Sequence, residues 1–127
     1  MKKVLATLCV LAASALTVMA GDYPDISIAE LNKAIAAKTV TVIDVNGSES
    51  YKNGHVPSAL NFAAISTDLA TKLPTDKGAL VVAYCGGPAC HAYTKAADAA
   101  AKLGYTNVKH LSAGISGWLQ QGQPTEK

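Results

Sequence analysis

The sequence predicts an α/β fold, a small and mainly parallel sheet flanked by helices on both faces. Strand-like and helix-like segments alternate along the chain, the pattern of crossover connections. Residues 39–45 (TVTVIDV) and 79–84 (ALVVAY) are nearly continuous aliphatic runs, as strands covered on both faces require. The second run passes straight into Cys85-Gly86-Gly87-Pro88-Ala89-Cys90 and then into a helical pattern. A glycine-bearing loop is thereby set at the carboxyl end of a strand, where parallel sheets place their binding crevice.

The elements follow in order. Residues 22–25 are a short polar lead-in containing Pro24. Ser27 and Glu30 have capping-box spacing, and Ile28, Leu31 and Ile35 recur at helical intervals up to Lys38. After the strand at 39–45, residues 46–54 are rich in turn formers, with room for a short helix at 48–52. Residues 61–64 are expected as a short strand, and 67–73 as a helix stopped by Pro74. Past the loop, a helix is expected from His91 to Leu103, with Ala96, Ala97, Ala100 and Leu103 on one face and Gly104 ending it. A third strand at 107–111 and a closing helix at 115–121, carrying Trp118 as a core plug, complete the series.

Length and composition bound the answer. The chain has 127 residues, 50% hydrophobic and 16% charged, enough for one domain with a proper core. Its first twenty residues read differently: Lys2 and Lys3, an apolar stretch from Val4 to Val18, then Met19-Ala20. That is the pattern of a secretory signal peptide at 1–20, with 21–127 as the mature domain. The rival is an uncleaved anchor, which needs about 20 apolar residues with firmer flanks. Taking twenty residues from 127 leaves 107, with nine Lys against nine Asp plus Glu. Periplasmic or secreted localisation follows, with no reason to expect nucleic acid or, after cleavage, a membrane surface as partner. Cys9 departs with the leader, so Cys85 and Cys90 remain. In an exported protein an even pair reads first as a disulfide. This one would close so small a loop that chain entropy contributes little, which invites a chemical explanation.

The loop has the composition of an anion seat. A turn between strand and helix aims successive N–H groups at one centre, and the helix start adds about half a positive charge. A thiol beside such a seat is favoured as thiolate, with a pKa brought from about 8.5 into roughly 3.5–7.5. Cys85 is the expected nucleophile, and Gly86, Gly87, Ala89, Cys90 and His91 the expected amide donors. Pro88 contributes no donor. The bland reading is a small buried thiol ending a strand.

These residues resemble the rhodanese family. Residues 41–45 (TVIDV) with 54–61 (GHVPSALN) are similar to its first signature, and Val82-Ala83-Tyr84-Cys85 to its active-site strand. Leu103-Gly104-Tyr105-Thr106-Asn107-Val108 and Ala113-Gly114-Ile115-Ser116-Gly117-Trp118 are similar to its closing motifs. The resemblance implies a single rhodanese-like domain, a sulfurtransferase in which Cys85 takes a sulfane sulfur from a donor such as thiosulfate. The persulfide would pass it to a thiophilic acceptor, a small thiol or anion or a protein thiol. It implies no cofactor and no metal.

The chain departs from the family pattern in having no Arg at all. Asn46 stands where Arg commonly follows the strand Asp, and Gly86 and Cys90 stand where the loop commonly carries Arg. The loop from Cys85 is also about two residues longer than usual by alignment. Weaker thiosulfate capture, or a larger oxyanion, is the implication.

Several residues admit two roles. Cys90 is either a resolving thiol for a persulfide or sulfenate on Cys85, or a cysteine packed under the loop. Asp44 serves either chemistry or, as the resemblance implies, the ordering of loops. His55 is expected to hydrogen-bond locally in its turn. His91 either favours the thiolate when protonated or faces solvent. A zinc or copper(I) site at Cys85, Cys90 and His91, with His55 as a further candidate, lacks the usual spacing and an evident fourth ligand. Two other functions stay open beside sulfur transfer: a thiol-disulfide or oxyanion reductase using Cys85 and Cys90, and a non-catalytic binding domain on the same fold.

Overall fold

The computed structural model describes residues 23–127, so the leader expected at 1–20 lies outside the described residues. Four parallel strands are arranged in the order β2-β1-β3-β4: β1 (Val40–Asp44), β2 (Leu60–Asn61), β3 (Leu80–Tyr84) and β4 (Val108–His110). The helices are α1 (Ile28–Ala37), α2 (Ser48–Asn53), α3 (Phe62–Ile65), α4 (Leu69–Lys72), α5 (Thr94–Lys102) and α6 (Gly114–Gln120). The chain leaves β1 toward β2 on one side and resumes with β3 on the other. The order therefore reverses between β1 and β3, the switch point at which such sheets open a crevice.

Alternation along the two inner strands divides the core. Ile43, Val81, Ala83 and Cys85 face α4 and α5, where Leu69, Leu73, Ala96, Ala97 and Ala100 cover them. Val42, Val82 and Tyr84 face the other way, against Ile28 and Leu31 of α1 and Trp118 of α6. Both faces are covered, which is why the two runs are dominated by β-branched and aliphatic residues. The alanines of α5 let that helix sit close to the sheet on the side where Cys85 emerges.

Local chemistry sets the helix ends. Ser27 caps α1 by accepting from Glu30 N at 3.1 Å, and Lys38 closes it in the left-handed conformation. The strand expected at 61–64 is instead β2 followed by α3, because the Asn61 side chain accepts from Ala63 N and turns the chain into a helix. The helix expected at 67–73 is the single turn α4, since Leu73 is extended ahead of Pro74. The polar lead-in belongs to the fold as well: Tyr23 is buried, and Asp25 accepts from both the amide and the hydroxyl of Ser112. Near the C-terminus, Trp118 is fully buried and donates its Nε1–H to Pro124 O at 2.8 Å.

One buried carboxylate ties two strand ends and a turn together. Asp44 accepts from the Tyr84 hydroxyl and, at 2.8 Å, from Asn46 N, while Val56 N donates to the Tyr84 oxygen at 3.0 Å. Asp44 and Tyr84 are register partners on β1 and β3, so the tie is made at the mouth of the crevice.

Burial, with the hydrogen bond to Asp44, holds the Tyr84 phenol well above its ordinary range. Tyr23 is raised by burial and by Asp98, and Tyr51 by burial with Asp44 and Glu126 nearby. Groups raised on folding contribute stability that is complete below the unfolded value of about 10. Above that pH the unfolded chain loses its phenol protons first, and stability falls until the folded phenols ionise. The urea midpoint should therefore decline above about pH 10, and less steeply in Tyr84→Phe. At neutral pH the same substitution should cost about 2–3 kcal/mol, because Asp44 and Val56 N both lose a partner. Equal alkaline slopes in the two proteins would contradict this.

Candidate functional site

Cys85 follows β3 directly, and its place is set by backbone contacts with α6. Ile115 N donates to Cys85 O and Ser116 N to Gly86 O, each at 3.0 Å. The first amides of α6, which no helical carbonyl can serve, are thus used to hold the start of the loop. Gly114 makes this possible: its φ is +62°, and a Cβ there would lie 2.5 Å from Gly86 C and Gly87 N. Gly87 is close-packed too, 3.3 Å from Ser116 Oγ on the same measure.

The outer half of the loop is a turn in which Cys90 N donates to Gly87 O at 3.0 Å. Cys85 and Cys90 are joined as a disulfide across this turn, with their Cα atoms 6.2 Å apart. Cys85 is buried at 2% exposure, whereas Cys90 is half-buried. Beyond the turn, Tyr93 stacks on His110 at the end of β4, ring centroids 4.3 Å apart. His110 Nδ1 is buried without a hydrogen-bond partner among the described residues.

The amide donors are distributed differently from the expected set. Among the described residues, the N–H groups of Gly86, Gly87, Ala89 and His91 form no hydrogen bond, so they stand available. The Cys90 amide is occupied by Gly87 O. The helix expected from His91 begins at Thr94, because Thr94 N and Thr94 Oγ1 both donate to His91 O and Lys95 N donates to Ala92 O. These bonds form a lead-in turn that satisfies the first amides of α5 and starts the helix three residues later in the chain. The His91 side chain is exposed.

Asp44 and His55 are both buried and both hydrogen-bonded within the scaffold. Asp44 fixes the loop after β1 through Asn46 N, and Asn46 Oδ1 lies 3.9 Å from where a Cβ on Gly86 would be. The two loops at the switch point therefore lie side by side. His55 pairs its Nδ1 with Tyr51 O at 2.8 Å, stacks on the Tyr51 ring at 3.7 Å, and exchanges backbone bonds with Glu126. It holds the C-terminal residues against the turn, away from the loop thiols. Among the described residues no group of three or more His, Cys, Asp or Glu side chains is gathered closely enough to hold a metal ion.

A cleft of about 380 Å³ opens between the loop after β1, α3 and α5, lined by Val45, Asn46, Gly47, Phe62, Ser66 and Lys95 among others. Lys95, in the first turn of α5, is the cationic side chain of that lining. Sequence reasoning missed Lys95, Ser116 and His110. Each is brought to the site by tertiary packing, and no spacing along the chain signals it. Gly114 was visible as a motif residue, but its role in pressing α6 onto the loop was not.

Comparisons with known proteins agree with this architecture. The rhodanese-like domain model matches residues 27–121. The BH2092 protein of Bacillus halodurans is 33% identical, with a TM-score of 0.70 over 82% of this chain and 77% of that one. The human single-domain sulfurtransferase TSTD1 shares the fold at 23% identity, with a TM-score of 0.61 over 79% of this chain and 98% of its own. An HTH-type transcriptional regulator of Mycobacterium tuberculosis, Rv0324, is 33% identical over 117 residues, and the chain spans half the length of that relative.

Replacing Gly114 by Ala should disturb the site from outside it. The Cβ meets loop backbone, and the positive φ adds strain, together about 2 kcal/mol or more. Denaturant titration should show that loss, and thiol counting after mild oxidation should show slower closure of the Cys85–Cys90 bond. Wild-type stability with wild-type closure would contradict the role assigned to Gly114.

Proposed function

The chain belongs to the rhodanese-like domain family, and on that premise we propose that it is a sulfurtransferase carrying a sulfane sulfur on Cys85. The observation that carries the reading is the placement of this thiol: at the end of an inner strand, beside the unpartnered amides of Gly86 and Gly87. A reduced Cys85 there is a sulfur nucleophile next to donors suited to an oxyanion.

In the first half-reaction the Cys85 thiolate attacks the outer sulfur of a donor such as thiosulfate or a polysulfide. The donor's S–S bond breaks, and sulfite or a shortened polysulfide leaves with the electron pair. In this reading the amides of Gly86, Gly87, Ala89 and His91 receive the negative charge, and Lys95 draws an anion toward the cleft it lines. In the second half-reaction a thiophilic acceptor attacks the outer sulfur of the persulfide, and Cys85 departs as thiolate. Two covalent half-reactions sharing one intermediate give ping-pong kinetics. The acceptor is a small nucleophile such as cyanide or a thiol, or a protein thiol.

The disulfide form hides Cys85, so turnover begins from the reduced loop. With no Arg in the chain, thiosulfate is held by amides and Lys95 alone, which favours a weakly bound donor. The leader pattern supports action in the periplasm or outside the cell, where the loop meets oxidising conditions. No helix among the described residues is long and apolar enough to cross a membrane.

Sulfur uptake is the test. In Cys90→Ser, which leaves one loop thiol, the reduced protein should gain one sulfur atom at Cys85 after exposure to thiosulfate or polysulfide, as read by peptide mass. In the otherwise unaltered chain, Cys85→Ser should lower thiocyanate formation from cyanide at least about 10³-fold. A reduced Cys85 that takes up no sulfur from either donor would overturn the reading.

A further inference from the structure

The crosslink between Cys85 and Cys90 carries the chemistry one step past transfer to an outside acceptor. We propose that the reduced loop is a sulfane-sulfur reductase, in which Cys90 displaces the sulfur held on Cys85 as sulfide. The proposal rests on the reading of Cys85 as the persulfide carrier.

Three observations lead to it. First, the fold already brings the two sulfurs into bonding contact, with Cα atoms 6.2 Å apart, inside the ordinary range for a disulfide. Second, backbone hydrogen bonds hold both ends of the turn in addition to the crosslink. The turn is closed by the Cys90 N to Gly87 O bond, and the Cys85 end is held by Ile115 N and Ser116 N. A thiol kept that close acts at high effective concentration against any outside acceptor. Third, the sequence separation of 5 closes a small loop, so chain entropy stabilises this bond less than one that closes a long loop.

The steps balance. The Cys85 thiolate attacks the outer sulfur of thiosulfate, giving the Cys85 persulfide and sulfite. The Cys90 thiolate then attacks the inner sulfur of that persulfide, the one belonging to Cys85. The persulfide S–S bond breaks, its outer sulfur leaves with the electron pair and takes a proton as hydrosulfide, and the Cys85–Cys90 bond forms. Per turnover, thiosulfate and two protein thiols give sulfite, hydrosulfide, one disulfide and one proton. The sulfane sulfur is reduced, and the cysteine pair is oxidised.

An outside dithiol, small or protein-borne, then restores the loop. Burial sets its direction of attack. Cys85 is closed to solvent while Cys90 is half-buried, so the incoming thiolate meets Cys90. Cys85 then leaves as the thiolate beside the free amides of Gly86 and Gly87. The structure found here is the product of the second step and the substrate of the third.

The experiment compares wild type with Cys90→Ser, both reduced, freed of reductant and held under nitrogen, and each given thiosulfate. Circular dichroism confirms that the variant is folded. Wild type should release one sulfide per chain, read by a sulfide electrode, and end two hydrogens lighter. Cys90→Ser should keep one extra sulfur on Cys85 and release less than a tenth of that sulfide. A wild type that keeps its extra sulfur with Cys90 free as a thiol would overturn the proposal while leaving the transferase reading intact. Failure of Cys90→Ser to take up sulfur would overturn the persulfide reading beneath it.

Discussion

Backbone pressed against backbone, where Gly114 meets Gly86 and Gly87, is the constraint from which this site follows. With no side chain at 114, the start of α6 comes close enough for the amides of Ile115 and Ser116 to grip the carbonyls of Cys85 and Gly86. Those bonds set the peptide planes at the exit of β3. They leave the following N–H groups unpartnered and direct the Cys85 side chain to the α5 face of the sheet. Across the crevice Asp44 does the same for the other loop, accepting from Asn46 N while bound to Tyr84. One loop at the switch point is thus held by backbone–backbone hydrogen bonds and the other by a buried carboxylate, in a chain without a single guanidinium group.

Much of this was legible along the chain. The aliphatic runs at 39–45 and 79–84 announce buried parallel strands because covered strands need apolar residues on both faces. Ser27 announces its cap because only a short polar side chain can reach the free amide of Glu30. The strand-Cys-Gly-Gly order locates a thiol at the end of an inner strand. The misreadings share a cause, which is that hydrogen bonds formed after folding decide short elements. Asn61 could extend a strand or cap a helix, and its bond to Ala63 N decides for the helix. Thr94 could lie within a helix that began at His91, but its two bonds to His91 O put the helix start at Thr94. Lys95, Ser116 and His110 reach the site across the fold and leave no periodic trace.

That three-residue shift of α5 changes the electrostatic picture. A helix opening at the cysteine would offer its positive end to the sulfur, whereas here the lead-in turn occupies those amides. In the proposed reaction, charge at Cys85 would be met instead by a few loop N–H groups, with Lys95 lining the neighbouring cleft. A seat built this way is less committed to a strong oxyanion than one built on arginine. It leaves room in the loop for a second thiol, and a closed loop stores two oxidising equivalents within one small turn.

The account stands on Cys85 being ionised when the loop is reduced. The direct measurement is the rate of alkylation of Cys85 against pH, in Cys90→Ser so that one loop thiol reports. A rate that has reached its plateau by neutral pH is the expected result. A rate still climbing through about 8.5, as for an ordinary thiol in water, would contradict it.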